Sequence, residues 1–524
     1  MTTAETSTGP VVVDGESLTV DALRRVAEAD APVEVHAEAV KKVIRSRVSL
    51  EGLIIRGAPA PGAVDGRGTA GTPGVDVARE SERQTNLVHS HCVGVGPLYA
   101  EDEARAVMTA RLNSLAKGYS AVRPDILDRM VLYLNEGITP AVPEIGSSGP
   151  GDLVPLAHVA STLIGEGHVL HDGRRQETQR VLGRMGIAPL RLGVREGAAL
   201  INGTSGTVGL GALVVARALD QVRQAEIASA LFDDAFRGPG IPFAAERHDT
   251  PHPRRGRTDS AANLHELLAG SRGSGEAQDL GAVPIFQGPQ GQDVRAARTV
   301  PQVLGAARDT LRHATQELEA ELNSVNDDPL FHPDGKVSHG ADPQDRAATL
   351  ALEFVTIALS HVGTLVEQQI DRMLTRQPDS GVPRYLVAGH PALHHGFAGA
   401  GHTARALTAE NRAAGTAAAQ AVAAFVDDRA AAGTLAARSA RHVLQNNDRI
   451  IAIGLLTAAQ TVDLSRRFDD LSHPNMATYD MVRSLVPPLG VDRSMAQDVE
   501  LIATALSRGE FLHALVRQEG IALR

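Results

Sequence analysis

The sequence has no tryptophan, one cysteine and only five tyrosines among its 524 residues. The single cysteine, Cys92, excludes a disulfide within the chain and a zinc site built from several cysteines. So few aromatic side chains argue against a stacking platform for single-stranded nucleic acid. The net charge of −11 argues the same way, because nucleic acids and anionic membranes attract positively charged proteins. We therefore expect neither nucleic acid nor membrane as a partner.

Targeting segments are not apparent either. The first ten residues are polar and threonine-rich, without the basic flank and apolar core of a secretory signal. No uncharged apolar stretch of about 18 residues occurs, so we expect no membrane-spanning helix. The cytoplasm is the expected location.

Glycine and proline divide the sequence into loop-rich and helix-rich parts. Residues 1–15 are predicted to be a flexible tail and residues 16–524 a single domain. Within that domain we expect active-site loops between short helices in 16–235. We also expect a loop-rich segment over 236–300 and a core of long helices over 301–524.

Three long segments indicate the fold class. Residues 346–374 run for 29 residues without proline, about 44 Å of helix. Residues 402–428 and 436–463 are also predicted helices, and their many alanines allow close packing. We therefore predict an all-α protein, and helices of this length usually bury faces against other subunits as well.

Six motifs occur in order over about 250 residues. They are 84–96 (QTNLVHSHCVGVG), 111–120 (RLNSLAKGYS), 142–158 (VPEIGSSGPGDLVPLAH), 196–204 (EGAALINGT), 292–302 (QDVRAARTVPQ) and 323–330 (NSVNDDPL). Together they resemble the motifs of the histidine and phenylalanine ammonia-lyase family. The resemblance implies an elongated helical subunit, usually in a homotetramer whose active sites each draw on three chains.

The electrophile of that family, a methylidene-imidazolone, forms when an Ala-Ser-Gly tripeptide cyclises and its serine loses the hydroxyl. At the matching place this sequence has Gly149, Pro150 and Gly151, in a loop one residue shorter. Proline has no hydroxyl to eliminate and no N–H, so the usual group cannot form there, and we expect no cofactor. A shifted tripeptide, Ser147-Ser148-Gly149, has the required chemistry and stays open as an alternative.

Three polar residues are the expected catalytic group. His91, Asn202 and Gln292 stand at retained positions of the family motifs. Histidine is the side chain best suited to carry a proton near neutral pH. Asn202 could hydrogen-bond a substrate or an oxyanion, or cap a helix. Asp152 is also retained and could simply be the N-cap of the helix that follows it.

Three arginines are the expected substrate-binding group. Arg298 matches the family arginine that holds the substrate carboxylate, while Arg56 and Arg295 stand where the family has tyrosines. A guanidinium fork suits a carboxylate or phosphate, so we expect a small anionic substrate. The three should then converge on one cavity with the catalytic group. The alternative is that they face solvent or pair with acidic residues.

The histidines at 390, 394, 395 and 402 lie close in sequence, but no acidic residue stands between them at ligand spacing. We expect no metal.

The sequence therefore predicts a lyase-like enzyme that catalyses elimination or addition on a small anionic amino-acid-like substrate without a methylidene-imidazolone. A branch of the family that acts on ergothioneine works without that group. Two alternatives stay open. One is a catalytically silent homologue that binds a ligand or partner enzyme, and the other is an ammonia-lyase or aminomutase with a displaced prosthetic group.

Overall fold

The computed structural model describes residues 9–56, 79–147, 151–236, 254–271, 296, 299–339, 346–375, 382–423 and 433–524. Within these residues the protein consists mostly of helices, with nine strands of two to four residues each. The predicted all-α class is confirmed.

The helices of the N-terminal half are α1 Val20–Glu28, α2 Ala37–Ile55, α3 Glu80–His91, α4 Glu101–Ala116, α5 Pro124–Asn135, α6 Leu153–Leu163, α7 Thr178–Met185, α8 Glu196–Ile201 and α9 Ser205–Phe236. The others are α10 Arg255–Leu267, α11 Val300–Leu322, α12 Arg346–Leu374, α13 Ala398–Ala423, α14 Gly433–Ser465, α15 His473–Leu485, α16 Ala496–Ser507 and α17 Glu510–Glu519. The predicted long helices correspond to α12, α13 and α14.

The described residues form four small sheets between the helices. Strand β1 (Val11–Val13) pairs in parallel with β2 (Val33–Val35). The other pairings are antiparallel: β3 (Val95–Leu98) with β5 (Pro143–Ile145); β6 (His168–His171) with both β4 (Thr139–Pro140) and β7 (Arg174–Glu177); and β8 (Leu330–Phe331) with β9 (Val337–Ser338).

One boundary prediction was wrong. Residues 9–15 are not a flexible tail, because β1 buries Val11 and Val13, and the Gly15 N–H donates to Asn113 Oδ1 at 2.9 Å. The first eight residues lie outside the described ranges. The segment 236–300, predicted to be rich in loops, contains α10, a helix of 13 residues that begins after the proline cluster ends. Most of this segment lies outside the described residues, so its loop content stays a prediction.

The chain divides into two compact units. Unit 1 comprises Met1–Ala216, Ala314–Glu353 and Ala421–Arg438, and unit 2 comprises Arg217–His313, Phe354–Gln420 and Ser439–Arg524. The single domain over 16–524 stays a prediction.

The core of unit 1 surrounds α4, in which every residue from 103 to 116 is buried. Arg105 is among them, and its guanidinium donates to the backbone oxygens of Val26 in α1 and Leu134 in α5. Unit 2 has a polar network inside its core. Asn411 donates to Asn447, which donates to Gln221, and Gln221 in turn donates to Asp448 at 2.5 Å.

Two helical stretches, Glu196–Phe236 and Arg346–Leu374, are long and apolar enough to cross a membrane by length and composition. The most apolar windows are 89% and 67% buried inside the protein, as in core helices. These two helices are weak evidence for a membrane-spanning segment. The expectation that the protein has no membrane partner stays a prediction.

Candidate active site

Three helices of unit 1, α3, α6 and α8, pack against one another and carry the expected site residues at their ends. His91 ends α3, Asn202 follows α8, and Asp152 precedes α6. The contact between α3 and α8 is close. Gln84 Oε1 accepts the Ala198 N–H at 2.9 Å, and a Cβ on Gly197 would lie 2.4 Å from the Gln84 backbone oxygen.

His91 is half-buried, and the hydrogen bonds around its ring define its tautomer. Nδ1 lies 2.9 Å from the backbone oxygen of Leu87, which can only accept, so Nδ1 carries the proton in the neutral ring. The Ser90 hydroxyl also donates to this oxygen. Nε2 has no hydrogen-bond partner among the described residues and keeps a lone pair that can accept a proton.

The chain after His91 runs beside the loop that carries the changed tripeptide. Val95 in β3 pairs with Ile145 in β5, and the Gly94 N–H donates to His158 Nε2 at 3.1 Å. This acceptor is available because burial lowers the pKa of His158 and favours the neutral ring. The pairing places the segment that follows His91 beside the strand that leads into the loop before Asp152.

Asp152 stands at the N-cap of α6, but its side chain makes no capping bond there. Its Oδ2 instead accepts the N–H of Thr207, in the first turn of α9, at 2.6 Å. Asp152 is therefore the N-cap of α6 by position, as predicted, but its carboxylate caps a helix 55 residues further along the chain. Burial raises its pKa to about 6, although hydrogen bonds from Thr207 and Ser147 oppose that shift.

Asn202 lies directly beside this loop. The Asp152 N–H donates to the backbone oxygen of Gly203 at 2.6 Å. A Cβ on Gly151 would lie 3.6 Å from Asn202 Oδ1. On its other side, Asn202 Nδ2 donates to Asp327 Oδ1 at 2.9 Å. The structure thus brings Asn202 and Asp152 together.

Buried charged residues that the sequence analysis did not single out lie beside Asn202, on the side of its Nδ2. Arg195 Nη2 and Asp327 Oδ1 form an ion pair at 2.6 Å, with side chains 3% and 0% exposed. Arg111 is fully buried and donates to the backbone oxygen of Ala199. Arg111 and Asp327 belong to motifs already noted, but sequence separation concealed their contact with this site.

The expected substrate-binding arginines are placed only in part. Arg56 is the exposed C-terminal cap of α2, and its guanidinium lies along its own helix beside Gly52. Gln292, Arg295 and Arg298 lie outside the described residues, so their convergence with His91 stays a prediction. Within the described ranges, no group of three or more histidine, cysteine, aspartate or glutamate residues could hold a metal.

The family described as aromatic amino acid lyase matches residues 18–484 of the chain. The protein belongs to this family, as the six motifs predicted.

Two curated relatives match the full length or nearly so. The protein named MIO-dependent tyrosine 2,3-aminomutase from Streptomyces globisporus is 53% identical, with 100% of each chain covered. The tyrosine ammonia-lyase of Cupriavidus metallidurans is 40% identical, with 98% of this chain and 99% of that one covered.

A solved structure of one of these relatives is similar to this protein. The crystal structure of the tyrosine aminomutase from Streptomyces globisporus has a TM-score of 0.90 at 52% identity, covering 98% of this chain and 100% of that chain. The fold described above is therefore that of an aminomutase and ammonia-lyase subunit.

Proposed function

We propose that the protein is an enzyme that catalyses elimination or addition on a small anionic amino-acid-like substrate without a methylidene-imidazolone. The observation that carries the proposal is a retained site around a changed loop. His91 has a ring Nε2 without a hydrogen-bond partner among the described residues, and the Asp152 N–H at the end of the loop donates to the backbone oxygen of Gly203, the residue after Asn202. At the loop itself the residues do not fit the family's group, because Pro150 has no hydroxyl and Gly151 has no side chain.

His91 is the proposed base. Its Nε2 takes a proton from one carbon of the substrate, the electron pair left behind forms a carbon–carbon double bond, and the leaving group departs from the neighbouring carbon with its bonding electrons. Without an electrophile, this needs an acidic proton or a good leaving group. Addition is the same step reversed, with His91 returning the proton.

The substrate is proposed to be anionic, held by Arg56, Arg295 and Arg298 as bidentate partners of carboxylate oxygens. The relatives named for tyrosine make L-tyrosine the first amino acid to test. We further propose a cytoplasmic homotetramer. In its support, α13 exposes most of its side chains in the single chain. Light scattering that reports a stable monomer at micromolar concentration would contradict the assembly.

One observation favours a second candidate, an ammonia-lyase or aminomutase with a displaced prosthetic group. The 53% identical relative is named as dependent on this group. The shifted tripeptide Ser147-Ser148-Gly149 is the only sequence of the loop that could supply it. The Ser147 hydroxyl donates a hydrogen bond to the backbone oxygen of Gly151 at 3.1 Å, so the two described ends of the loop are in contact.

The experiment is a metabolite screen of the purified protein by mass spectrometry. L-tyrosine, L-phenylalanine, L-histidine and a mixed extract are incubated with it, and a depleted substrate with a matching product supports the proposed enzyme. Ligand binding without turnover of any compound would contradict it and favour a catalytically silent homologue.

A further inference from the structure

The side-chain amide of Asn202 is held in one orientation by Asp327. Asn202 Nδ2 lies 2.9 Å from Asp327 Oδ1 and 3.5 Å from the backbone oxygen of Asp328. Both neighbours are oxygen acceptors, so the amide presents its N–H groups to them. Its oxygen is thereby turned to the opposite side, toward Gly151. Asn202 is half-buried, and its Oδ1 accepts no hydrogen bond from the described residues.

A buried ion pair keeps Asp327 an acceptor. Arg195 Nη2 contacts the same Oδ1 at 2.6 Å and also donates to the Asp328 backbone oxygen at 2.8 Å. The chain positions Arg195 with a left-handed backbone, φ +74°, immediately before α8. Because Asp327 Oδ1 already accepts from the guanidinium of Arg195 and from the Asp328 N–H, it is an acceptor toward Asn202 as well.

A second guanidinium, that of Arg111, interacts electrostatically with the Asp327 carboxylate. Arg111 is fully buried, and its Nε and Nη1 have no hydrogen-bond partner in the part of the chain that the structure describes. Burial lowers its pKa to about 10, which leaves it protonated at neutral pH, and the negative charge of Asp327 opposes that shift. Asp327 is therefore paired with one buried guanidinium and interacts electrostatically with a second.

The reversed orientation of the Asn202 amide is disfavoured by this arrangement. It would place Oδ1, an acceptor, 2.9 Å from a carboxylate oxygen, in place of a charge-assisted hydrogen bond. The Asp327 oxygen would also lose a donor in a buried setting, where an unmade hydrogen bond is most costly.

We propose that Arg195 and Asp327 are positioning residues that present the carbonyl oxygen of Asn202 to the substrate. The group recognised there is a hydrogen-bond donor, the ammonium of an amino acid. Of the two expected roles of Asn202, this proposal takes the hydrogen bond to a substrate and not the one to an oxyanion, which needs a donor. The inference rests on the proposed function insofar as it places Asn202 in the substrate site.

The test compares two ligands that differ in one group. L-tyrosine carries the ammonium, and 3-(4-hydroxyphenyl)propanoate lacks it. Calorimetry with wild-type protein should show at least tenfold tighter binding of L-tyrosine. In Asp327→Asn the new amide can donate to Asn202 Oδ1, so Asn202 is free to turn, and the preference should fall to about threefold or less.

The single variant leaves Arg195 buried without its partner and can fail to fold, so Arg195→Gln/Asp327→Asn is made as well. That double variant removes both charges and keeps amide hydrogen bonds, and it should lose the preference too. The matched control is Glu226→Gln/Arg308→Gln, a buried pair of unit 2 with a 2.6 Å contact and side chains 0% and 3% exposed. It should keep the preference of the wild type.

Equal binding of the two ligands by wild type, or an unchanged preference in folded Asp327 variants, would overturn the inference. Binding of neither ligand would overturn it also, since an amine site must then be absent. Turnover of another substrate in the metabolite screen would still leave the proposed function standing, so the two failures are distinguishable.

Discussion

Thr207 and Asp152 are joined by two hydrogen bonds: the Thr207 N–H lies 2.6 Å from Oδ2 and its hydroxyl 3.1 Å from Oδ1. A carboxylate at a helix N-terminus is favourable, because it satisfies a free N–H and faces the positive end of the helix dipole. The contact ties the loop that ends at Asp152 to the first turn of α9. The position of the C-terminal end of this loop therefore depends on Asp152.

Asp152→Asn should gain stability over wild type as the pH rises. The folded-state pKa of about 6 lies above the ordinary value of 3.8, so the folded protein binds the proton more tightly. The stability that this proton contributes is complete below about pH 4 and is lost as the pH rises through 6. Asparagine does not titrate and can still accept from Thr207. Urea unfolding should show that the free energy of unfolding of the variant, relative to wild type, is about 1–2 kcal/mol higher at pH 8 than at pH 5. A difference between variant and wild type that is independent of pH would contradict this.

Gly203→Ala should destabilise the protein by about 3 kcal/mol or more. Its φ is +125°, and a Cβ there would lie 2.3 Å from Asn326 Oδ1 and 2.7 Å from Arg111 Nη1. Gly173→Ala is the matched control, since Gly173 also has a positive φ, +67°, but no atom within 4 Å of the added Cβ. The control should lose about 1 kcal/mol. Equal losses for the two variants in urea unfolding would contradict the prediction, because the clash with Asn326 and Arg111 would then cost nothing.

His91→Gln should lower kcat about 10²–10⁴-fold on the substrate that the screen identifies, since glutamine cannot carry the proton. His89→Gln is the control on the same helix. His89 pairs with Glu166 at 2.6 Å, and its side chain is 43% exposed. Steady-state rates of folded variants provide the measurement. Activity retained in His91→Gln but lost in His89→Gln would contradict the assignment of the base to His91.

The sequence predicted the long helices well because nearby residues in the sequence mark where these helices end. Residues 346–374 are flanked by prolines at 343 and 378, and α12 occupies that segment. The first strand was missed because three valines are too few to separate a strand from a tail. Its burial depends on pairing with Val33–Val35.

The motifs located Asn202 and Asp152 but not what holds them. The carboxylate that orients Asn202 is 125 residues away along the chain, and the arginine that fixes this carboxylate is 132 residues from it. No periodicity or spacing reports such a contact. Asp152 was assigned to the adjacent helix for the same reason, because the helix that it caps is close only in the folded chain.

The intact mass of the purified protein tests the central claim most directly. Since Gly149, Pro150 and Gly151 replace the tripeptide, the mass should equal that of the unmodified sequence, allowing only for loss of Met1. A mass lower by two water molecules, together with the ultraviolet absorbance of a methylidene-imidazolone, would contradict the account and establish the displaced group at Ser147-Ser148-Gly149.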